Sequence, residues 1–463
     1  MKNPGASVAI RLLSLLIFSA LLIRLLLFVN RHAVNVLFGD QWDFYLPLFQ
    51  GERLWALFSL QHGPHRQGLG MLLTAALAHL SGWNCLWVSF AVCVAMVVSA
   101  ALAIRLSLKC GLGFGVSTVF CSVLFLNLRQ WEIFVGTPNI SHGAMPLVLL
   151  LAACLAWFVR NVWLRAALVA LLAFFMIFTG FGLFGGLVLP VVLISEIVSD
   201  WSDGRRLVCL PNAVALLFIL GSWLLFFSGY VFAPAVAGFR FPHERPWEYV
   251  PFAGLLLSNA IGVSGHGFTA VVVGILLLTL LGVVCLAHAG SLFASGKTEG
   301  RPRRQTIFTL TAFTLAFIVN TAVGRICLGW VGADSSRYIP LIAPGFLGIF
   351  FCLNYLSSRL RSLSAFAAIL LCGAGMLNPN LRDEADLRAA FEGRNAWCRA
   401  YLDCRDPVVA SKISGYLVYP EPEKIRERLQ FLETHRLSFL HSGCPNPSAP
   451  SAPGHFQSGF FSW

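Results

Sequence analysis

Stretches of about twenty apolar, nearly uncharged residues recur along this chain. They fall near residues 8–29, 85–104, 111–127, 141–159, 163–179, 180–198, 208–232, 268–289, 306–324, 338–356 and 363–377. Each suits the thickness of a bilayer, so the pattern predicts an all-α, polytopic transmembrane fold of about eleven helices. The opening run, "VAIRLLSLLIFSALLIRLLLFV", is long, lacks a small-residue cleavage pattern and is followed by many similar runs, so it reads as a retained first helix. The segment "GLGMLLTAALAHLSGW" is shorter and flanked by polar residues, and it is expected to lie in the membrane interface.

The charges between the runs support that choice. With the short segment kept out of the count, Arg105 and Lys109, Arg160 and Arg165, Arg205 and Arg206, Lys297 with Arg301, Arg303 and Arg304, and Arg359 with Arg361 all fall on one side. Basic loops mark the cytoplasmic side, which predicts a cytoplasmic N-terminus and an outer face that holds the first loop and everything after residue 378. Three units are expected: a transmembrane domain over 1–377, a small outer-face soluble module over 378–440 and a flexible tail over 441–463. Two helical patterns, "LRDEADLRAAFEGRNAWCRAYL" and "EPEKIRERLQFLETHRLSFL", make up the module, and the tail turns to Pro, Ser and Gly.

Composition narrows the class further. At 463 residues, 57% hydrophobic, 12% charged and with a mean hydropathy of +0.75, the chain has more apolar surface than a soluble core could hide. Its net charge of +12 is scattered among short loops and forms no basic face interleaved with aromatics, which argues against nucleic acid as a partner. Most of the 13 cysteines lie singly in apolar runs, where Cys acts as a small buried hydrophobe; Cys398 and Cys404 are the pair that lies in polar sequence. "GSLFASGKT" has one residue too many for a P-loop, and the glycines of "TGFGLFGG" sit inside an apolar run, where small residues serve helix packing.

Candidate chemistry concentrates in the loops expected outside. In "FGDQWDFYLPLFQGERLWALFSLQHGPHRQG", residues 38–68, Asp40 and Asp43 stand three apart and would share a face of a helical turn, with His62, His65 and Arg66 closing the other side. A carboxylate there can accept a proton from an acceptor hydroxyl while cations neutralise a departing phosphate. Arginine suits two-pronged phosphate binding, and Arg337 with Tyr338 opens a helix after "GADSS", where free amides and Ser335 or Ser336 could hold an anion. Arg337 and Tyr338 are therefore assigned, with Arg66, His62 and His65, to the donor's phosphate and lipid. Trp131 and Glu132 are candidates for the acceptor side, the plainer reading being an interfacial Trp beside a Glu paired to Arg129. His243, Glu244 and Arg245 in "FPHERPWEY" are weaker candidates for the same side. Asp40, Asp43, His62 and His65 could supply ligands to a divalent cation. Hard cations want more oxygens and zinc a closed nitrogen or sulfur set, so transfer with neither metal nor other cofactor is the favoured expectation.

The arrangement resembles the glycosyltransferase C superfamily. "GDQWDFYLP" followed by "QHGPHRQGLGMLL" is similar to the Asp-rich and His-x-x-His-Arg motifs of a largely uncharacterised bacterial branch, and "RQWEIFVGTPN", "TGFGLFGGLVLPVVL" and "GRICLGWVGADSSRY" resemble its later landmarks. The resemblance covers most of residues 1–360. It departs at Gly63 and Pro64, where that branch more often has Asn-Glu, and this removes a second acid. It implies a multi-pass enzyme of the bacterial inner membrane that takes a sugar from a polyprenyl-phosphate donor and passes it to an envelope glycan or lipid. In that pattern Asp40 is the base and Asp43 its alternate. The competing expectation from another class is a non-enzymatic transporter or flippase of a lipid-linked sugar, which would show charged or broken helices at the bilayer midplane.

Overall fold

The computed structural model describes residues 4–232, 236, 238–293, 300–354, 367–369 and 373–444. Lys297, Arg359, Arg361, residues 363–366 and 370–372 of the 363–377 run and the tail beyond residue 444 lie outside the described residues. Among the described residues the fold is helical, with one hairpin of two-residue strands, Gln61–His62 against His65–Arg66. Among the described residues seven segments, from Val8–His32 to Ser336–Leu353, are long and apolar enough to cross a bilayer, which makes this a multi-pass membrane protein. Val116–Gln130, Ile140–Ala156 and Val162–Phe178 fall on three further predicted runs but are shorter.

One helix is absent from the hydropathy reading. Tyr249–Ala260 has 12 residues, about 18 Å at 1.5 Å per residue, and is buried from Phe252 to Ala260. It packs on Phe268–Leu292, and a Cβ at Gly274 would fall on the Gly254 carbonyl. Only glycine lets these two backbones approach so closely.

The segments that join the helices gather at two ends. At one end the first loop meets residues 127–143, 179–182, 228–231 and the C-terminal helices. Gln41 Nε2 donates to the Pro138 carbonyl at 3.0 Å, the Leu69 amide to Thr179 Oγ1 at 3.1 Å, and the Val231 amide to Gln61 Oε1 at 3.1 Å. Arg394 ties in the C-terminal segment, donating to the carbonyls of Val135 at 2.6 Å and Gly136 at 3.4 Å. At the other end Glu196 is buried. It accepts from Arg165 at 3.1 Å, Asn212 at 2.9 Å and Gln305 at 2.9 Å, while Asp200 takes Arg205 at 2.7 Å. The connectors that carry Arg165, Arg205 and Arg301 thus meet around Glu196 and Asp200, away from the first loop.

Gly68–Ser81 has 14 residues and would reach about 21 Å, too short for a span. Met71, Ala75 and Ala78 on its inner face enter the same core as Trp42 and Tyr45 of the first loop and Trp397, Tyr401, Leu429 and Phe439 of the C-terminal helices. The helices after residue 378 therefore share a core with residues 34–85. They are also stapled: Cys398 is bonded to Cys444, whereas Cys404, the other cysteine singled out in polar sequence, is a free thiol. Cys398 and Cys404 are six residues apart on the helix Leu381–Cys404, which sets them about 9 Å apart along the axis and on different faces, and the chain returns Cys444 to Cys398 only after three further short α-helices.

Candidate functional site

The first loop is organised by a turn at Gly39, whose positive φ of 55° suits glycine. It leads into the short helix Gln41–Phe44, which opens at Asp40. Asp43 accepts hydrogen bonds from the Tyr419 hydroxyl at 3.1 and 3.2 Å and from Arg428 at 3.3 Å, and Arg428 also donates to the Trp42 carbonyl at 2.7 Å. Burial and the adjacent Asp43 push the Tyr419 phenol up to about 12, so it stays protonated and donates. Asp43 thus anchors the C-terminal segment. Among the described residues the Asp40 carboxylate has no hydrogen-bond or ion-pair partner, and its charge acts on His62 and Arg337.

The hairpin turns at Gly63, with φ of 58°, so the Gly-Pro that departs from the family pattern sits where the backbone itself favours glycine. His65 is 4% exposed, with ring centres 4.8 Å from both His142 and Phe181, and neither of its ring nitrogens has a partner. Burial first, then the charges of His62 and Arg325, push it down to about 3, so it is neutral. His62 lies edge-on to Phe44 at 4.5 Å and is also lowered, by burial, although Asp40 and Asp43 act in the opposite direction. Arg66 is committed elsewhere. Its Nε and Nη2 donate to the Phe226 carbonyl at 3.0 and 2.7 Å, Nη2 also to the Ser228 carbonyl at 2.7 Å, and Nη1 to the Ser59 carbonyl. The fork expected to grip phosphate instead satisfies the open carbonyls at the end of the helix Arg206–Phe227.

A cavity of about 800 Å³ lies at the same end of the bundle. Arg129, Arg337 and Arg382 line it together with Glu132, Asp334, Asp383 and Asp386; Trp131 and Tyr338 are among its aromatic walls. Most of these charges are held. Asp383 closes a capping box with Asn380 and lies 3.4 Å from Arg129, which also donates to the Asn259 carbonyl at 2.8 Å. Asp334 takes Arg382 at 2.6 Å and Asn259 Nδ2 at 2.9 Å, with His266 at 3.0 Å. Glu132 is not paired with Arg129. It accepts from Ser335 Oγ at 2.7 Å and the Ser336 amide at 2.9 Å, so the helix start that the sequence offers to an anion is capped by the chain's own carboxylate. Arg337 lies over the Tyr338 ring at 5.6 Å, with Glu132 and Asp40 as the acids whose charge reaches it.

Of the residues singled out from sequence, Trp131, Glu132, Arg337 and Tyr338 line the cavity, while Asp40, Asp43, His62, His65 and Arg66 do not. His243, Glu244 and Arg245 pair within their own exposed loop. Arg240 meets Glu244 at 2.9 Å, Arg245 meets Glu248 at 3.3 Å, and His243 stands 3.9 Å from Glu248. The cavity also contains residues that sequence reasoning passes over: Asn259, Asp334, Arg382, Asp383 and Asp386. "LRDEAD" carried a signal, because Asp383 and Asp386 are three apart on a helix and share a face. Asn259 carried none. Among the described residues no group of three or more His, Cys, Asp or Glu stands in a metal-holding arrangement. Comparison with protein-family models, curated proteins and solved structures gives no match.

Proposed function

We propose that this protein is a glycosyltransferase of the bacterial inner membrane, moving a sugar from a polyprenyl-phosphate carrier to an envelope glycan or lipid acceptor at the outer face. The observation that carries the reading is the cavity itself: a charged chamber of about 800 Å³ at one end of a bundle of apolar helices, with Arg337 in its wall at the start of the segment Ser336–Leu353. An amphiphile with a phosphate head fits such a place, its chain lying in lipid and its head in the chamber. Arg337 is the guanidinium assigned to the phosphate, because Arg129 is engaged by Asp383 and Arg382 by Asp334. Outer-face placement of the cavity is supported by the basic connectors at the far end and by the Cys398–Cys444 bond at the near end, since disulfides persist outside the cytoplasm.

In the reaction the acceptor oxygen bonds to the sugar's anomeric carbon while the bond from that carbon to the carrier phosphate breaks. The bonding electrons leave on the phosphate oxygen, beside Arg337, and the acceptor's proton passes to a carboxylate, for which Asp40 is the first loop's candidate. Lipid and glycan extracts from cells with and without the protein, compared by mass spectrometry, should differ by one sugar substituent. Restoring the gene with Arg337→Ala should leave that substituent missing, and Arg337→Lys should restore it only in part, because a point charge does not replace a fork. Identical extracts from the two cell types would overturn the reading.

A further inference from the structure

Among the described residues every side chain of 38–44 is buried or bonded except that of Asp40, which is half-buried and without a partner. Phe38 is stacked on Tyr416, with ring centres 5.8 Å apart, and the Gly39 amide donates to the Val418 carbonyl at 2.8 Å. Gln41 Oε1 accepts from the Phe38 amide at 3.0 Å, and its Nε2 donates to the Pro138 carbonyl at 3.0 Å. Trp42 and Phe44 are buried, and Asp43 is held by Tyr419 and Arg428. The loop is thus fixed on both sides of one free carboxylate.

Arg394, on the helix Leu381–Cys404, joins the two sides. It is 2% exposed, and its guanidinium carbon lies 5.5 Å from the centre of the Phe38 ring. Its nitrogens donate to three carbonyls, those of Ala390 at 3.0 Å, Val135 at 2.6 Å and Gly136 at 3.4 Å. These contacts close a circuit: from Arg394 to Phe38, along the chain past Asp40 to Gln41, across to Pro138, back to Gly136 and to Arg394 again. Phe38, Gly136, Thr137 and Ala390 line the cavity, so the circuit runs through its wall. The neighbouring residue supports the same arrangement, since a Cβ at Gly393 would fall on the Tyr416 ring that backs Phe38. Among the described residues Arg394 has no acidic partner. A charge buried against neutral groups is a costly way to hold a fold together, and what its fork supplies is direction, several carbonyls being gripped at fixed angles.

We infer that Arg394 is a positioning residue for the transfer, fixing the Asp40 carboxylate beside the cavity wall where the acceptor's hydroxyl gives up its proton. The inference rests on the transferase reading above. Arg394 touches neither substrate nor reacting atoms; it acts through Phe38 on one side of Asp40 and, by way of residues 135–138, through Gln41 on the other. The helix Leu381–Cys404 is therefore part of the machinery that sets the base. A shift of about 1 Å in a reacting group can lower a rate about a hundredfold, which is the scale on which Arg394 acts.

Two measurements test this in membranes from cells that make the protein, which carry their own donor and acceptor. In the first, the sugar substituent is followed by mass spectrometry at equal membrane abundance. Arg394→Met, of similar length and uncharged, should lower transfer about a hundredfold, and Arg394→Lys, which keeps the charge but loses the fork, should recover part of it. Arg394→Lys carries the comparison with the native protein if Arg394→Met does not accumulate. In the second, Asp40→Cys is labelled with a membrane-impermeant thiol reagent and read on its own peptide. Combined with Arg394→Lys it should react about tenfold faster than alone, the scale of one lost hydrogen bond to a charged group. Gln50→Cys, exposed in the same loop and outside the circuit, should react equally in both backgrounds. No transfer by the native protein would remove the transferase reading and the catalytic role of Arg394 with it, while the labelling difference would persist. Native-level transfer by the Arg394 variants, or equal labelling of Asp40→Cys in the two backgrounds, would overturn the role of Arg394 alone.

Discussion

His65 illustrates how a residue that reads as chemistry becomes packing. Both ring nitrogens are buried without partners, and leaving such groups unpaired costs roughly 1–3 kcal/mol. His65→Phe should therefore keep or raise the thermal unfolding temperature in detergent. The effect should also depend on pH. The unfolded ring takes up a proton below about 6.5 while the folded one holds off until about 3, so the native protein loses stability as pH falls between those values and the variant is spared that part. Unfolding curves at pH 7 and 4.5 should show the gap widening in favour of the variant, and a narrowing gap would contradict the buried, neutral ring. The sequence reading found Arg337, Tyr338, Trp131 and Glu132, all of which line the cavity, because each stands beside a helix start or in an aromatic interfacial loop. It misassigned the surroundings of His65 and Arg66 for a physical reason: the Phe226 and Ser228 carbonyls that fill the Arg66 fork are 160 or more residues away, and nothing local announces them.

Hydropathy finds elements that are long and apolar, and among the described residues seven of its eleven runs hold helices long enough to span. Tyr249–Ala260 escaped because its 12 residues fall under the span length and follow a charged, proline-containing loop, yet it carries Asn259 to the cavity wall. Its seat on Phe268–Leu292 depends on the Gly254 and Gly274 contact. Gly274→Ala should therefore lower the yield of folded protein and, with Asn259 displaced, whatever transfer remains. Gly282→Ala, on the same helix with nothing within 4 Å of the added carbon, should do neither. Size-exclusion profiles of the two variants in detergent provide the comparison, and equal behaviour would mean that the close crossing carries no weight. The C-terminal helices were legible as helices from their capping residues, but their association with the first loop was not, since the apolar face of Leu381–Cys404 does not say what it covers.

At the scale of the whole molecule, the two clusters of connectors define its sidedness. Cysteines introduced singly as Gln50→Cys and Glu421→Cys should react with a membrane-impermeant thiol reagent from outside intact cells, and Arg206→Cys should react only once the membrane is opened; all three positions are exposed. A label on Glu421→Cys that needs an opened membrane would reverse the orientation. That the chain crosses a membrane several times was legible in the hydrophobic pattern, because spans are written in composition, whereas the core common to residues 34–85 and 397–439 is a matter of shape. That common core has a consequence in time. The first loop is synthesised early, but Trp42, Tyr45 and Trp83, which pack on one another and on Phe49, lack the rest of their core until the last helices arrive, roughly 300 residues later and, at about 5–20 residues per second, on the order of half a minute. During that interval the loop exposes aromatic surface at the membrane and Asp43 waits for Tyr419 and Arg428. Completion of the chain is therefore the event that assembles the site, and a chain cut short before residue 381 would insert its helices without acquiring the acids of the cavity's far wall.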